Sequence, residues 1–290
     1  MRAKDTFFYK KNTLCCGGRL LELSIPLVMG ILNVTPDSFY DGGKFTTEEG
    51  ILERVKKMLE EGASIIDVGA YSSRPGAADI TIKEELNRLI PAIRLIKKEF
   101  PGCIISADTF RAEVAARAVE NGADIINDIG GGTLDAEMFK TIAALKVPYI
   151  LMHIKGTPQN MKTKALYSDV VKEVMFYFSE KAGQLKAMGV NDIIIDPGFG
   201  FGKTAVHNYQ LINHIDDFKI FDLPVLAGVS RKSMINEVLG IKAAEALNGT
   251  TVLNTLALLK GANILRVHDV KEAVEAVKIV RSSLDLAGLN

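Results

Sequence analysis

Apolar segments of this 290-residue chain repeatedly end on a side chain that can bind a ligand or exchange a proton. Asp108, Asn127 and Asp196 each follow a run of small or β-branched apolar residues. One Asp at such a position can simply cap the next helix, whereas many polar residues that converge on one place need partners or a ligand. We therefore expect a shared polar site. Its candidate members are Asn33, residues 67–74, Asp108, Asn127, Met152, His153, Asp196, residues 230–232, Arg266 and His268.

Two basic residues near the C-terminus are candidates for binding an anion. Alternation along a strand places Arg266 and His268 on the same face, and two cationic donors on one face suit a phosphate. The alternative is a structural pairing with Asp269 or with a carboxylate elsewhere in the fold.

A glycine-rich segment, residues 196–204, is a candidate binding loop. It is not a Walker A phosphate loop, because Pro197 stands where that motif requires glycine. The glycines permit close approach of the backbone to a ligand, and Phe199 and Phe201 alternate with them. We expect one ring to face a flat ligand and the other to pack in the core.

Two further loops, residues 33–43 and 71–76, are long for connections between a strand and a helix and are candidate lids. The first carries Asp37 and a pair of glycines, and the second carries Ser73 and Arg74. The alternative, an ordinary surface connection, does not explain the position of Arg74.

The other histidines and the cysteines indicate neither zinc nor a disulfide framework. His153 is interpreted as structural, and His207 and His214 lie on one predicted helix without a third ligand nearby. Cys15 and Cys16 are adjacent and the third cysteine is distant, so we expect reduced thiols in a cytoplasmic protein.

The elements that must position these residues form a repeat. Residues 61–67 (Glu-Gly-Ala-Ser-Ile-Ile-Asp) reappear as residues 121–127 (Asn-Gly-Ala-Asp-Ile-Ile-Asn), each after an amphipathic helical stretch. The Gly suits the left-handed position that ends a helix, and the β-branched run predicts a strand buried on both faces. The predicted strands are residues 27–34, 64–70, 103–109, 124–130, 148–154, 192–197, 225–230 and 264–268.

Eight strands separated by helices predict a closed (β/α)8 TIM barrel. A doubly wound open sheet is the alternative, but the chain lacks its nucleotide-binding fingerprint. We expect residues 27–290 to form a single barrel domain and residues 1–26 to form an N-terminal extension packed on it. In such barrels the carboxyl ends of the strands carry the active site, and phosphate sites recur near strands seven and eight.

Composition excludes several classes of protein. The chain has 35 Lys and Arg residues against 35 Asp and Glu residues, and this balance argues against a general binder of nucleic acid or acidic membranes. A hydrophobic fraction of 48% excludes a disordered chain. Apolar stretches stay shorter than the roughly 18 residues of a transmembrane helix, and the first residues lack the apolar region of a secretion signal.

Several segments resemble the signature motifs of the dihydropteroate synthases, in the order in which that family has them. The first is Met-Gly-Ile-Leu-Asn-Val-Thr-Pro-Asp-Ser-Phe at residues 29–39, followed by Asp-Gly-Gly at residues 41–43. The resemblance extends from about Gly17 to the C-terminal helix. The other motifs are Ser-Ser-Arg-Pro-Gly-Ala at 72–77, Asp-Pro-Gly-Phe-Gly-Phe-Gly-Lys at 196–203, Ser-Arg-Lys-Ser at 230–233 and Arg-Val-His-Asp at 266–269.

The resemblance implies a (β/α)8 enzyme of folate biosynthesis. Such an enzyme joins 6-hydroxymethyl-7,8-dihydropterin diphosphate to 4-aminobenzoate, and it releases pyrophosphate and 7,8-dihydropteroate. The resemblance also implies a homodimer, a sulfonamide target and bound Mg²⁺ with Asn33 as the protein ligand. A lone carboxamide suits Mg²⁺, which keeps waters and takes other oxygens from substrate phosphate.

Three groups of substrate contacts are implied by the resemblance. The pyrimidine edge of the pterin presents adjacent N–H donors, which a buried carboxylate accepts as a pair. The implied binding residues are Asp196, Asn127, Asp108 and Lys232 for the pterin, Ser73, Arg266 and His268 for the diphosphate, Phe201, Lys203 and Ser233 for 4-aminobenzoate, and Met152 and Gly228 elsewhere in the pocket.

The implied catalytic residues stabilise charge. In the family, loss of pyrophosphate precedes attack by the amine, so stabilisation of the leaving group matters more than a strong base. Tyr71 stands where the family commonly has Glu, so no role of that Glu is carried over to this chain. The implied catalytic residues are Asp37, Arg74, Asp108, Arg266 and His268.

Two alternative functions share the pterin contacts. A methyltransferase that passes a methyl group from methyltetrahydrofolate to a corrinoid protein needs no diphosphate grip, so residues 230–233 and the two long loops favour the synthase. A non-catalytic pterin-binding paralogue would have lost the loop chemistry, yet Asn33, Asp37, Arg74 and Arg266 are present.

Overall fold

A computed structural model describes residues 12–35, 47–72, 79–161 and 163–286 of the chain. Within these ranges an antiparallel hairpin precedes eight parallel strands that alternate with α-helices. The strands are β1 (Thr13–Cys16), β2 (Arg19–Glu22), β3 (Leu27–Asn33), β4 (Ile65–Gly69), β5 (Ile105–Asp108), β6 (Ile125–Asp128), β7 (Tyr149–Met152), β8 (Ile193–Asp196), β9 (Leu226–Ala227) and β10 (Ile264–Val267). The helices are α1 (Glu48–Glu60), α2 (Ile82–Glu99), α3 (Ala112–Glu120), α4 (Met138–Leu145), α5 (Val170–Ala187), α6 (Ala205–Asn213), α7 (Ser233–Leu239), α8 (Leu247–Leu259) and α9 (Val270–Leu286).

The parallel sheet closes on itself almost completely. Its strand order is β8-β7-β6-β5-β4-β3-β10-β9. The edge strands β8 and β9 meet through a parallel bridge between Ile195 and Val225. The predicted (β/α)8 barrel is therefore confirmed, and the alternative of a doubly wound open sheet is excluded.

The strand predicted at residues 225–230 is much shorter in the structure than in the prediction. Strand β9 contains two residues, Leu226 and Ala227. The chain then turns, and Arg231 adopts a left-handed backbone conformation with φ of 55°, which a strand cannot contain. The turn places Lys232 over the end of the barrel.

Side-chain caps start several of the helices close to the strand ends. Thr47 caps α1 by accepting from the N–H of Gly50, and Thr81 forms a reciprocal capping box with Glu84 at the start of α2. These caps define where the connections end and the helices return towards the amino end of the barrel. Among the described residues, none of the helices is both long enough and apolar enough to cross a membrane.

The apolar core has two main layers. One lies between the sheet and the surrounding helices, and the other fills the amino end of the barrel interior. The hairpin β1–β2 contributes Leu14 and Cys16 to the interior layer, together with Leu23. This layer therefore covers the amino end and leaves the carboxyl end for polar residues. Its barrel members are Met29, Ile65, Ile125, Ile150, Ile194, Leu226 and Ile264.

Candidate active site

A small cavity at the carboxyl end of the barrel collects polar side chains from the ends of β5 to β10 and the turns that follow. Eight of its described lining residues were predicted as site residues from the sequence, and Ile129 and Phe199 were not. The lining residues are Asp108, Asn127, Ile129, Met152, Asp196, Phe199, Phe201, Gly228, Lys232 and Arg266. The barrel therefore brings together residues that lie far apart in the sequence.

A wider groove lies beside α5 and the segments that follow β6 and β7. Its walls include Lys155, Tyr167 and Phe176. The buried carboxylates that end the strands do not line this groove, whereas Asp108 and Asp196 line the cavity. We therefore place the candidate site in the cavity, because buried charges require a partner or a ligand.

Arg266, on β10, forms the centre of a buried ionic cluster. Its Nε donates to Asp67 Oδ2 at 2.6 Å, and its Nη2 donates to Asp108 Oδ2 at 2.7 Å. Asn127 Nδ2 also donates to Asp67 Oδ2, at 3.1 Å. The structure thus contains the pairing of Arg266 with barrel carboxylates that the sequence left as an alternative to anion binding.

Burial perturbs both carboxyl groups that face the cavity. Burial raises the pKa of Asp108, although Arg266 acts in the opposite direction. Burial also raises the pKa of Asp196, and the N–H of Gly198, which donates to Asp196 Oδ1 at 2.8 Å, opposes this effect. Perturbed carboxyl groups in a cavity are typical of functional sites.

The two aromatic rings of the glycine-rich loop after β8 pack in different places. Phe199 packs into the core between the sheet and the helices, although it also borders the cavity. Phe201 packs with Met152 at the rim, and Lys232 Nζ lies 4.1 Å from the centre of its ring. Phe199 is thus the ring that packs in the core, and the contact of Phe201 with a flat ligand stays a prediction.

Lys203 belongs to the same loop, but it is not one of the described residues that line the cavity. Its Nζ donates to the carbonyl oxygens of Gly198 and Phe201, each at 3.0 Å, and contacts His153 Nδ1 at 2.9 Å. A Cβ at Gly198 would collide with the carbonyl oxygen of His153, so the loop packs directly on the end of β7. Lys203 Nζ thus links the backbone of Phe201 to His153. A contact of Lys203 with substrate stays a prediction.

His268 lies next to the cavity at the start of the turn after β10. Its Nδ1 is 3.0 Å from Ser230 Oγ, and its carbonyl oxygen accepts from Arg54 Nη2 at 2.7 Å. Burial and the positive charge of Arg266 lower the pKa of His268 to about 3. Without a bound anion these effects favour the neutral imidazole, whereas the sequence suggested two cationic donors, and the binding of an anion by His268 stays a prediction.

The remaining predicted residues lie around the rim or outside the described residues. Asn33 is half-buried at the end of β3, and Ser233 is exposed at the first residue of α7. Asp37, Ser73 and Arg74 lie outside the residues that the structure describes. Their predicted roles stay predictions.

Sequence reasoning missed two residues that organise the site. Asp67 was noted only as the edge of a candidate segment, yet it is fully buried and pairs with Arg266. Its position two residues after Ile65, which faces the barrel interior, was a signal that the carboxylate also points inward. Ser230 was named only as the first residue of the candidate segment 230–232 and as part of a motif, without a role, although its hydroxyl contacts His268.

Tyr71, which departs from the family pattern, belongs to the wall of the rim. Its ring meets Phe110 edge to face with centroids 4.9 Å apart. Its hydroxyl accepts from Gln159 Nε2 at 2.9 Å. These contacts give Tyr71 a packing role in the structure.

Comparisons with known proteins agree with this geometry. A family model described as pterin binding enzyme matches residues 29–268. The dihydropteroate synthase of Escherichia coli is 44% identical over 273 residues, which cover 92% of this chain and 95% of the relative. A Yersinia pestis dihydropteroate synthase solved with a sulfonamide drug has a TM-score of 0.90 and 40% identity, with 94% of this chain and 99% of the other covered.

A second solved structure is that of a relative with its product bound. It is the dihydropteroate synthase of Xanthomonas albilineans in complex with 7,8-dihydropteroate, with a TM-score of 0.83 and 37% identity. The alignment covers 93% of this chain and 98% of that protein. The chain therefore belongs to the pterin binding enzyme family and, within it, to the dihydropteroate synthases.

Proposed function

We propose that the cavity at the carboxyl end of the barrel binds the dihydropterin diphosphate that this dihydropteroate synthase condenses with 4-aminobenzoate. The buried carboxylate of Asp196 is the observation that carries the proposal. A Cβ at Gly228 would lie 3.9 Å from Asp196 Oδ2, in ordinary van der Waals contact, so glycine at this position leaves the space beside the carboxylate unfilled. A buried carboxylate beside an open space needs donors, and the pyrimidine edge of a pterin supplies an adjacent pair.

Two further residues orient the pterin ring in this proposal. Because Asn127 Nδ2 donates to Asp67, the carboxamide is held with Oδ1 as the acceptor for a ring N–H. Lys232 donates to the acceptor side of the ring. Burial and the charge of Arg266 lower the pKa of Lys232 to about 8, and Asp196 and Asp108 oppose this effect.

Departure of pyrophosphate starts the reaction. The bond between the methylene carbon and the diphosphate oxygen breaks, and its electron pair leaves with pyrophosphate. The amine nitrogen of 4-aminobenzoate then bonds to the methylene carbon and loses a proton. Arg266 can donate to the leaving oxygens, since only two of its five N–H groups are used by Asp67 and Asp108 in the bonds described. Asp108 stabilises the electron-deficient dihydropterin.

The aminobenzoate pocket lies beside Phe201 in this proposal. Lys232 Nζ lies over the ring of Phe201, and Lys203 Nζ donates to the carbonyl oxygen of the same residue. Ser233 at the start of α7 is a donor for the carboxylate. The Yersinia pestis relative is solved with a sulfonamide drug, and we extend sulfonamide binding to the same pocket here.

Asn33 is the residue that we propose as the protein ligand of Mg²⁺. A Cβ built on Gly69 would lie 3.5 Å from Asn33 Oδ1 and 3.6 Å from Asp108 Oδ2, so these oxygens share one neighbourhood. Among the described residues, no cluster of three His, Cys, Asp or Glu side chains can hold a metal. This donor set suits an ion that takes most of its oxygens from substrate and water. When bound, the ion would neutralise charge on the leaving diphosphate.

A homodimer is the proposed assembly, and helix α8 supports it. The sequence Leu247–Leu259 contains no charged residue. Val252, Leu256 and Leu259 are nevertheless exposed on this helix, and the adjacent α7 exposes Leu239. A second copy of the chain that covers this face would remove the apolar side chains from water.

The remaining partners are small molecules in a reducing compartment. All three cysteines are free thiols, and burial raises the pKa of the Cys103 thiol to about 11, which keeps it protonated. The balanced net charge argues against nucleic acid as a partner. We propose a cytoplasmic location on these grounds.

A turnover assay tests the proposed function. The purified protein is incubated with the pterin diphosphate, 4-aminobenzoate and Mg²⁺, and mass spectrometry detects dihydropteroate and pyrophosphate. We expect both products from the wild type and from Asp217→Asn, which changes an exposed carboxylate, and neither product from Asp196→Asn. A folded protein that binds the pterin but forms no product would instead favour the methyltransferase or the non-catalytic paralogue.

A further inference from the structure

Ser230 and His268 form a reciprocal hydrogen-bonded pair at the rim. The backbone N–H of His268 donates to Ser230 Oγ at 3.2 Å. The same oxygen lies 3.0 Å from His268 Nδ1. Ser230 is buried and belongs to the turn after β9, so the pair joins the ends of β9 and β10.

The direction of the hydrogen bond between Ser230 Oγ and His268 Nδ1 follows from the donors and acceptors that are present. The backbone N–H can only donate, so Ser230 Oγ is an acceptor in that bond. If His268 Nδ1 also carried a proton, two donors would point at one oxygen, and the buried hydroxyl proton of Ser230 would lack an acceptor among the described residues. A buried hydroxyl without an acceptor is costly. The hydroxyl therefore donates to Nδ1.

The two turns that carry Ser230 and His268 are held by three other contacts. Arg54 Nη2 donates to the carbonyl oxygen of His268 at 2.7 Å. Arg231 forms a two-fold ion pair with Asp269, each bond at 2.8 Å. The N–H of Arg231 donates to Thr250 Oγ1 at 3.0 Å. These contacts fix the backbone on both sides of the pair, so that the hydroxyl of Ser230 stays directed at His268 Nδ1.

We propose that Ser230 is a positioning residue that holds His268 as the neutral tautomer with its proton on Nε2. The ring then carries its one N–H on Nε2 with a fixed direction, and this N–H does not depend on protonation of the ring near neutral pH. The consequence for catalysis rests on the proposed function, in which His268 binds the diphosphate. A neutral donor stabilises the oxygens of the leaving group without giving up a proton to them.

Nitrogen NMR of the histidine rings tests the tautomer without any substrate. The chain has four histidines, so ¹⁵N-labelled protein gives few signals, and His268→Gln assigns the relevant pair. In the wild type at pH 7 we expect the shifts of a neutral ring protonated on Nε2. Ser230→Ala should shift the population towards Nδ1–H, and Ser230→Thr, which keeps the hydroxyl, should restore the wild-type pattern.

Two outcomes would overturn the proposal. One is a wild-type His268 that is protonated on Nδ1 or on both nitrogens at pH 7. The other is a Ser230→Ala spectrum with the wild-type tautomer, since Ser230 would then not set it. Thr250→Val is the matched control, because it removes a hydroxyl bond to the turn that carries Ser230 without touching the imidazole, and it should leave the ring shifts unchanged.

A titration with pyrophosphate and Mg²⁺ separates this proposal from the proposed function. We expect Ser230→Ala to weaken pyrophosphate binding about tenfold, as the loss of one well-directed hydrogen bond predicts. Ser230→Thr and Thr250→Val should bind as the wild type does. If Ser230→Ala changes the tautomer but not the affinity, the assignment of Ser230 stands and the proposed phosphate site is wrong.

Discussion

The two ends of the barrel use charge in different ways. At the amino end, Asp124 Oδ2 accepts from Lys97 Nζ at 2.6 Å and from the N–H of Ile105 at 2.9 Å, while Lys97 also donates to the carbonyl oxygen of Cys103. At the carboxyl end, Asp67 Oδ1 is buried without a hydrogen-bond partner among the described residues. The buried carboxylate at the amino end is thus paired within the fold, whereas the one at the carboxyl end keeps an oxygen without a hydrogen bond among the described residues.

Residues that stabilise the fold and residues that line the candidate site therefore lie at opposite ends of the barrel. The interior of the amino end is a dry apolar layer covered by the hairpin β1–β2. The interior of the carboxyl end holds Asp67 and Asp108, whose attraction to Arg266 opposes the cost of removing these charges from water. Substitutions at the carboxyl end should therefore act on ligands, and those at the amino end on the free energy of unfolding.

Asp196→Asn should have the largest effect on binding. The amide would oppose an N–H of the pterin with another donor, at a cost of about 2–5 kcal/mol in binding free energy. The N–H of Gly198 can still donate to the new Oδ1, so the melting temperature should change little. Calorimetry with a pterin measures the affinity, and near-wild-type binding would remove Asp196 from the site.

Leu14→Ala should give the opposite result at the amino end. Leu14 is fully buried in the interior layer, and its truncation should lower the free energy of unfolding by about 2–5 kcal/mol. The pterin affinity of the folded protein should not change. Leu20→Ala is the matched control, because Leu20 is 73% exposed in the same hairpin. A large loss of pterin affinity in Leu14→Ala, measured below its melting temperature, would contradict the separation of the two ends.

Lys203→Met should act on one substrate only. Loss of the ammonium group frees the loop that carries Phe201, and we expect the KM for 4-aminobenzoate to rise about tenfold while pterin affinity changes little. Steady-state kinetics with each substrate varied in turn measure the two effects. Lys219→Met, which changes an exposed lysine, should behave as the wild type. An equal loss for both substrates would show a general structural role for Lys203 instead.

The protonation of Lys232 should give a smaller, pH-dependent difference between the effects on stability and on pterin binding. Burial lowers its pKa to about 8 in the folded chain, from an unfolded value near 10.5. Above pH 8 the unfolded chain binds more protons at this lysine than the folded chain does, so its contribution to stability rises with pH. Pterin affinity should fall over the same range, because the donor loses its charge. Calorimetry at pH 7 and pH 9 tests this, and Lys232→Met should remove the difference that the lysine causes.

The architecture could be predicted from the sequence because each strand and helix has local signals. The Gly that ends a helix and the β-branched run after it recur at residues 61–67 and 121–127. Most strand ends were placed within a few residues, and β9 failed because Val229 continues the apolar pattern although the backbone has already turned towards Arg231.

The pairings inside the site could not be predicted in the same way. Arg266 and Asp67 lie 199 positions apart in the chain, so their contact exists only after the barrel closes. The neutral state of His268 likewise depends on its burial beside Arg266. Asp196, Asn127 and Lys232 were found because they end strands or belong to recognisable motifs, whereas Asp67 stands inside an apolar run.

The seam between β8 and β9 gives the barrel a weak line in its wall. Elsewhere in the described sheet neighbouring strands share ladders of parallel hydrogen bonds, but here the edges meet through the bridge between Ile195 and Val225. Asp196 stands on one side of the seam, and Lys232 follows the strand on the other. A pterin that binds both residues would connect β8 to the turn after β9, so the bound substrate would strengthen the barrel where its wall has the fewest hydrogen bonds.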